Sequence, residues 1–244
     1  MKEILSKENP VIKEFSKLKQ KKYIQQTNTV LLEGIKLINE AEKRGIALKA
    51  VFTNFYTDED FGCPTYRLGE NAFKCLSSTV SPQGVIAAVE LKENEFSMPK
   101  SNFLVLDGVQ DPGNLGTIIR TAVAAGFCEI YAKNCVDFRN EKVIRSTMGT
   151  IFDCKIMPAG MEEIKKLCKH KLYCANMNKS SVFDVKNVPK QFGIVMGNEA
   201  HGISDEIMSL GLDEVSIPMK NKVESLNVAV ASGVMMYILS SKQN

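Results

Sequence analysis

The residues with the clearest capacity for chemistry in this sequence lie between positions 104 and 127. An apolar run, short enough for a buried parallel strand, ends at Asp107, and a loop with glycine and proline follows. Asn114 and Arg120 come next, so an amide and a guanidinium stand where α/β sheets usually bind their ligands. The loop lacks the Lys-Ser/Thr pair of a Walker A motif and is not a GxGxxG loop, which excludes the ordinary nucleotide-binding motifs.

A helix must position these side chains. Asn114 is predicted to be its N-cap, because an asparagine oxygen can accept an otherwise unpaired backbone N–H, and Gly126 is predicted to end it. Arg120 follows Gly116 by four residues, and helical side chains lean toward the N-terminus, so its guanidinium is expected to point toward Asn114. Two interpretations stay open for Arg120: a solvated arginine on an exposed face, or a residue of a binding site. The buried face of this helix is predicted to comprise Leu115, Ile118, Ile119, Ala122 and Val123.

Two more polar loops follow apolar runs later in the chain. One is the loop 197–202, which contains Glu199 and His201, and the other leads from the run 215–219 to Ser225. Each loop alone has an ordinary interpretation, as exposed surface or, for Ser225, as the cap of the last helix. Because the carboxyl ends of parallel strands meet at one edge of a sheet, the three loops together predict a single binding site.

Two domains are predicted, separated by a polar, proline-containing linker at residues 91–102. Residues 1–95 are predicted to form a small α/β domain, and residues 102–244 alternate strands and helices, the pattern of a parallel sheet. The last helix is apolar on nearly all sides and is expected to be buried in a core or a subunit interface. Strands are predicted at 30–32, 50–52, 66–68, 84–89, 104–106, 129–132, 154–157, 172–175 (ending at Asn176), 193–196 and 215–219. Further helices are predicted at 10–18, around 37–44, and at 140–148, 161–169, 204–210 and 228–239.

Composition limits the class of protein. No apolar stretch of the 244 residues approaches the ~20 needed to span a bilayer, and the first residues lack the apolar region of a secretory signal. The seven cysteines, without a CxxC pair, are interpreted as reduced thiols of a cytoplasmic protein. With two histidines in the chain, a metal site is not expected.

Charge is informative through its distribution. The net charge of +3 is small, but lysines cluster in the first predicted helix and just after it. Such a cluster is either a solvated face or a patch that contacts the phosphates of a nucleic acid. The lysines of this cluster are Lys13, Lys17, Lys19, Lys21 and Lys22.

The three loops closely resemble the three motifs of the SpoU/TrmH-type RNA ribose 2′-O-methyltransferases of the SPOUT superfamily. The matching residues are Asn114-x-Gly116-x3-Arg120, Gly197-Asn198-Glu199-x2-Gly202, and Ile217-Pro218-Met219 followed by Ser225-Leu226-Asn227-Val228-Ala229. The N-terminal part resembles the ribosomal-protein-like substrate-binding domain of that family at LLEG (31–34) and SPQGV (81–85).

The resemblance implies a fold and partners. The expected fold is an α/β parallel sheet with helices on both faces and a C-terminal trefoil knot, preceded by a small α/β RNA-binding domain. It implies a homodimer through the knotted domain, with S-adenosylmethionine bound in the knot near the interface. Ribosomal RNA is the first expected substrate and transfer RNA the second.

The resemblance also implies roles for single residues. The expected catalytic residues are Arg120, Asn114, Glu199, Ser225 and Asn227. The expected cofactor-binding residues are Gly197, Asn198, Ile217, Met219, Leu226, Asn227 and Asn176. The expected RNA-binding residues are Lys13, Lys17, Lys21, Lys22, Lys142 and Arg145, the last two near the same sheet end as the loops. Because a guanidinium stays protonated in proteins, stabilisation of a developing oxyanion is the safer role for Arg120 than that of a base.

Three alternatives are weighed against a ribose methyltransferase. A non-catalytic RNA-binding protein of this fold is disfavoured by the intact Arg120, Glu199, Ser225 and Asn227. An enzyme that methylates a base instead of a ribose is disfavoured by the first and third motifs. A dinucleotide-dependent oxidoreductase lacks its glycine fingerprint.

Overall fold

The computed structural model describes residues 1–221 and 223–243, with no side-chain description at 178. It divides into two compact units, one formed by Met1–Lys92 with Arg139–Phe152 and the other by Glu93–Phe138 with Asp153–Asn244. The segment Arg139–Phe152, assigned from sequence to the second domain, therefore packs within the first unit. No helix in the described part of the chain is long and apolar enough to cross a membrane.

The first unit is built on a mixed sheet with the strand order β1-β4-β3-β5-β2. Strands β1, β4 and β3 run parallel, whereas β5 is antiparallel to both β3 and β2. The elements of this unit are β1 (Lys2–Ile4), α1 (Pro10–Ser16), a 3₁₀ turn (Lys17–Lys19), α2 (Lys21–Thr27), β2 (Thr29–Glu33), α3 (Ile35–Lys43), β3 (Leu48–Thr53), β4 (Thr65–Leu68), α4 (Glu70–Leu76), β5 (Val85–Glu90) and α6 (Glu141–Thr147). Sequence patterns predicted most of these elements but missed β1, α2 and α4.

The second unit is built on a parallel sheet with the order β11-β9-β10-β6-β7-β8. Its elements are β6 (Phe103–Asp107), α5 (Pro112–Ala124), β7 (Glu129–Lys133), β8 (Lys155–Pro158), α7 (Met161–Leu167), β9 (Lys171–Ser181), β10 (Phe192–Met196), α8 (Asp205–Met208), β11 (Asp213–Ser216) and α9 (Val228–Ser240). Every residue of the neighbouring strands β6 and β10 is buried, which explains why both strands are apolar apart from Asp107 at the end of β6. The predicted α/β class with a parallel sheet is confirmed.

Most of the predicted linker lies in the second unit. The hydroxyl of Tyr131 donates to the backbone oxygen of Ser97 at 2.7 Å. The carboxylate of Glu129 accepts the backbone N–H groups of Lys100 and Ser101 at 2.7 and 3.1 Å. Residues 97–101 are therefore held against the start of β7, and the boundary between the units falls after Lys92.

The capping residues of the two longest helices of this unit differ from prediction. Asp111 caps α5, because its Oδ1 accepts the backbone N–H of Asn114 at 2.7 Å, and Pro112 suits the first helical position. Asn227 caps α9, with Oδ1 accepting the backbone N–H groups of Ala229 and Val230 at 2.9 and 3.3 Å. The predictions of Asn114 and Ser225 as N-caps are therefore wrong.

Two strand ends also differ from prediction. Strand β9 continues past Asn176 to Ser181, because it pairs with β11 through an irregularity between Glu214 and Val215. Strand β11 ends at Ser216, before the proline that cannot donate to a ladder, so Ile217 and Met219 lie in the following loop. Gly126, in contrast, ends α5 as predicted, with φ of +82°.

Candidate active site

The polar loops after β6 and β10 are bound to each other. Gly108 follows β6, and its backbone oxygen accepts a hydrogen bond from Asn198 Nδ2 at 2.7 Å. Since β6 and β10 are neighbouring parallel strands, their carboxyl ends present both loops at one edge of the sheet. The loop after β11 joins them through Asn227, which contacts Asn114.

Glu199 holds the beginning of α5 in place through hydrogen bonds. Its carboxylate accepts the backbone N–H groups of Gln110 and Asp111 at 3.3 and 3.2 Å and the side-chain amide of Asn114 at 3.1 Å. Burial raises the pKa of Glu199, but its own backbone N–H and these three donors outweigh burial, so the pKa lies below its ordinary value. Glu199 is therefore an ionised acceptor at neutral pH and positions its neighbours.

The capping of α9 determines how the side-chain amides of Asn227 and Asn114 are oriented. Because Asn227 Oδ1 already accepts two backbone N–H groups, its Nδ2 must face Asn114, and it donates to Asn114 Oδ1 at 2.8 Å. Asn114 must then turn its own Nδ2 toward Glu199. We call this chain of contacts, Glu199–Asn114–Asn227, the amide relay. It links all three loops and allows only one orientation of each amide.

The loop after β10 closes on itself. Asn198 and Gly202 exchange both backbone hydrogen bonds at 2.8 and 3.0 Å, and Asn198 Oδ1 accepts the N–H groups of Ala200 and His201 at 2.8 and 3.0 Å. A Cβ at position 197 would lie 2.2 Å from the carbonyl carbon of Gly202, so only glycine fits at Gly197. The side chain of Asn198 is thus used to shape the loop.

A buried ion pair lies beneath this loop and was not predicted. Asp107 Oδ1 lies 3.2 Å from Lys133 Nζ, and Asp107 Oδ2 accepts the backbone N–H of Ser204 at 2.7 Å. Both charged side chains are more than nine-tenths buried, and Lys133 also pairs with Glu206 at 3.3 Å. Burial lowers the pKa of Lys133, but the two carboxylates outweigh it and raise that pKa. The pair fixes the base of the loop to the ends of β6 and β7.

The remaining predicted site residues differ in their surroundings. Arg120 is exposed and has no hydrogen-bond or ion-pair partner among the described residues. Ser225 and Leu226, which directly precede Asn227, are exposed, and Ile217 and Met219 are half-buried. Asn176 lies apart from the relay contacts, because its amide donates to Glu214 on β11 at 2.6 Å.

The predicted RNA-binding residues all belong to the first unit. Lys13 pairs with Glu8 at 2.6 Å, and Lys17 lies over the ring of Tyr23 at 5.5 Å. The others are exposed, and two of them lie on α6, which packs within the first unit and not in the sheet of the loops. These others are Lys21, Lys22, Lys142 and Arg145.

Comparison with known families identifies the class of protein. A family model described as the SpoU rRNA Methylase family matches residues 101–237, and one described as the MRM3-like substrate binding domain matches residues 9–87. The chain therefore belongs to the SpoU rRNA methylase family. The resemblance found in the three motifs is confirmed.

Individual relatives agree with this membership. The chain is 32% identical to 23S rRNA (guanosine(2553)-2′-O)-methyltransferase RlmP of Bacillus subtilis, over 98% of this chain and 99% of the relative. It is 30% identical to an uncharacterised tRNA/rRNA methyltransferase of Synechocystis, over 96% of this chain and 92% of the relative. The crystal structure of an AdoMet-bound rRNA methyltransferase from Sinorhizobium meliloti has a TM-score of 0.88 at 27% identity, covering 98% of this chain and 97% of that one.

The lowered pKa of Glu199 predicts a pH-dependent contribution to stability. A carboxylate whose pKa is lower in the folded state stabilises the fold fully above its unfolded pKa, and this contribution is lost as pH falls through the folded pKa. The difference in free energy of unfolding between the wild type and Glu199→Gln is therefore expected to be constant from about pH 6 to 8 and to shrink below about pH 4. Denaturant titrations across this range measure it.

Glu95 provides the control for this prediction. It is exposed and accepts no hydrogen bond from another described residue. The variant Glu95→Gln breaks no described hydrogen bond and is expected to leave the free energy of unfolding unchanged. A stability difference for Glu199→Gln that grows toward acid pH would contradict the assignment of Glu199 as an ionised acceptor.

Proposed function

We propose that this chain transfers a methyl group from S-adenosylmethionine to a ribose 2′-hydroxyl of structured RNA, with ribosomal RNA as the first substrate and transfer RNA as the second. The observation that supports this most is the amide relay, which joins the family's three motifs in one site. The relatives named as ribosomal RNA methyltransferases support the substrate class.

The residues around the relay fit S-adenosylmethionine. Its adenine is a flat, largely apolar group, and Ile217, Met219 and Leu226 offer apolar surface that is at least partly exposed. The loop at Gly197 can close only around a glycine, because a Cβ there would meet the backbone of Gly202 and Ile203. The three apolar residues and Gly197, with Asn198, would hold the cofactor, which when bound supplies an electrophilic sulfonium methyl group. Asn176, on strand β9, is also proposed to contact the cofactor.

The chain's own residues would align the hydroxyl and stabilise its charge. A ribose hydroxyl is weakly acidic, so negative charge develops on its oxygen during transfer, and a positioned cation lowers the energy of that state. Arg120 is a cation on α5, the helix that also carries Asn114. It forms no hydrogen bond or ion pair with another described residue. Ser225 and the relay residues would orient the ribose, with Glu199 acting through Asn114.

Several finer features belong to the same proposal. A C-terminal trefoil knot and a homodimer through the second unit are proposed from the family resemblance. The dimer is supported by α9, a largely apolar helix on which Val230 and Tyr237 are nevertheless more than half exposed. A cytoplasmic location is supported by the seven free cysteines. The basic residues of α1, α2 and α6 are proposed to bind RNA.

The relay itself gives a sharp prediction. In Asn227→Asp the second oxygen replaces the amide that donates to Asn114, while the cap of α9 is preserved, since aspartate and asparagine cap equally well. Loss of one aligned hydrogen bond is expected to lower kcat about tenfold and to leave the free energy of unfolding within about 1 kcal/mol. Transfer kinetics and denaturant unfolding measure the two effects.

Asn140 is the matched control for Asn227, because it caps α6 by accepting the backbone N–H of Lys142 at 2.8 Å. Asn140→Asp makes the same chemical change outside the relay and is expected to leave kcat unchanged. An equal loss in both variants, or no loss in Asn227→Asp, would refute a role of the relay in catalysis.

The proposed activity is tested by incubating the purified chain with methyl-labelled S-adenosylmethionine and total RNA from a strain that lacks it. Label is expected in one RNA species, whose size identifies ribosomal or transfer RNA. Cofactor binding without transfer to any RNA, including intact ribosomal subunits, would favour a non-catalytic RNA-binding protein.

A further inference from the structure

The two N-terminal motifs meet at one end of the first sheet. Strands β2 and β5 are antiparallel, with Glu33 opposite Ile86, so the end of β2 lies beside the beginning of β5. The backbone N–H of Gly34 donates to the oxygen of Val85 at 3.0 Å. Gly34 and Gly84 adopt φ of +102° and +83°, and a Cβ at Gly34 would lie 2.4 Å from Gln83 Oε1. The glycines let the chain turn tightly here, and the loop 77–84 leads into β5.

A single carboxylate holds the first half of this loop. Glu33 accepts hydrogen bonds from the hydroxyl of Ser77 at 2.7 Å, the backbone N–H and hydroxyl of Ser78 at 2.9 and 3.2 Å, and the hydroxyl of Thr79 at 2.5 Å. Burial raises the pKa of Glu33, but these donors outweigh it and lower the pKa, so the carboxylate stays charged. Four hydrogen bonds to three consecutive residues give the loop a fixed shape before any partner arrives.

The loop carries an exposed apolar residue, and two cations contact the segment just before it. Val80, the residue after the held segment, is fully exposed. The Lys19 ammonium donates to the backbone oxygen of Ser77 at 2.6 Å, and the Arg145 guanidinium reaches the hydroxyl of Ser78 at 3.4 Å. Residues 77–84 include no acidic side chain. The carboxylate of Glu33 already accepts hydrogen bonds from this loop. A rigid, cationic surface with an apolar tip is complementary to phosphates beside an unstacked base.

We propose that the loop 77–84 is an RNA-contacting element in which Lys19 and Arg145 bind phosphates and Val80 packs against an exposed base. Glu33 is a positioning residue that acts through the shape of the loop. The inference rests on the proposed function for the identity of the RNA. Lys19 and Arg145 were already expected from the sequence to contact RNA, and the structure adds the loop itself, with Val80 at its tip and Glu33 holding its shape. The surrounding cations favour RNA over a protein partner.

The first test removes the two cations from the full-length chain. The double variant Lys19→Ala/Arg145→Ala is expected to raise the Kd for labelled ribosomal RNA, and the KM for RNA in transfer, about tenfold. Because each phosphate contact releases counterions, the slope of log Kd against log salt should fall by about one for each cation removed. The affinity for S-adenosylmethionine should not change.

A matched control distinguishes this site from general loss of charge. Lys2 and Lys7 are exposed and lie on or just after β1, at the opposite edge of the sheet from β2. Lys2→Ala/Lys7→Ala changes the net charge equally and is expected to change the Kd for RNA less than twofold.

The second test examines Glu33 and Val80. Val80→Ala, at a residue without structural contacts to lose, is expected to raise the Kd for RNA about threefold. Glu33→Gln is expected to raise it similarly or more, and in combination with Lys19→Ala/Arg145→Ala it should add little, because both act through one loop. Full additivity would show that Glu33 has only a general structural role.

The outcomes separate this inference from the proposed function. If the wild type transfers methyl groups but the double variant matches its Lys2/Lys7 control in Kd and salt slope, the inference is overturned and the activity stands. If the wild type binds RNA through this loop without transferring a methyl group, the proposed activity fails and the inference stands. A wild type that does not bind RNA overturns both.

Discussion

Arg120→Ala is expected to lower kcat for methyl transfer about 10³-fold while changing the affinity for S-adenosylmethionine less than twofold. The reason is that Arg120 is exposed and makes no hydrogen bond or ion pair with the described residues, so its removal breaks no contact of the fold. In the proposed mechanism its charge acts only where the hydroxyl oxygen becomes negative. Arg120→Lys should restore little activity, because an ammonium lacks the planar fork of the guanidinium.

Single-turnover kinetics and calorimetry measure these two quantities for Arg120→Ala. Lys165, an exposed cation of the second unit on α7 that pairs with Glu162, is the control, and Lys165→Ala should retain full activity. A loss of cofactor affinity equal to the loss of rate would show that Arg120 binds the cofactor and does not act in the reaction itself. Undiminished transfer would show that Arg120 is not part of the site.

Gly197→Ala is expected to lower the affinity for S-adenosylmethionine at least about 100-fold and to cost about 2 kcal/mol of stability. The added Cβ would lie 2.2 Å from the carbonyl carbon of Gly202 and 2.3 Å from the nitrogen of Ile203. Both are backbone atoms, and the paired hydrogen bonds between Asn198 and Gly202 hold them in place. The loop must therefore open to accept the methyl group.

Calorimetric titration with the cofactor and denaturant unfolding measure this prediction. Gly211→Ala is the control, because Gly211 has φ of +66° but open space around its Cβ position. That variant should lose about 1 kcal/mol of stability through backbone strain and bind the cofactor normally. If Gly197→Ala also bound it normally, the closed loop would not be part of the cofactor site.

The parts of the fold that the sequence predicted are those governed by local patterns. Strands β6 and β10 are buried along their whole length, so their apolar runs were sufficient. Strand β1 escaped notice because Ile4 alone is buried in it, and α2 because Ile24 is its one buried residue. Elements that bury a single side chain have no periodicity to detect.

The helix caps show a different limit. The caps predicted from the sequence are Asn114 for α5 and Ser225 for α9, whereas the caps in the structure are Asp111 and Asn227. Local propensity ranks these residues nearly equally, and tertiary contacts decide between them. Asn114 does not cap α5, so its side-chain amide is available for the relay. Asn227 caps α9 through its Oδ1 and donates to Asn114 through its Nδ2.

Contacts that depend on the order and register of the strands also could not be predicted from the sequence. Asp107 and Lys133 are opposite each other on β6 and β7, a pairing that requires the strand order. Likewise, the grouping of α6 with the first unit depends on packing and not on its position in the chain. The function was inferred from the three motifs, whereas composition and spacing alone indicated only a binding site.

The measurement that tests the central claim most directly is alkaline hydrolysis of RNA labelled by this chain with methyl-labelled S-adenosylmethionine. Alkali cleaves RNA through attack of the 2′-oxygen on the adjacent phosphate, and a methylated 2′-oxygen cannot attack. If the site methylates ribose, the label will be recovered in alkali-resistant dinucleotides, and Arg120→Ala will abolish it. Label recovered in mononucleotides would show that the methyl group is on a base, and would contradict the proposed role of these loops.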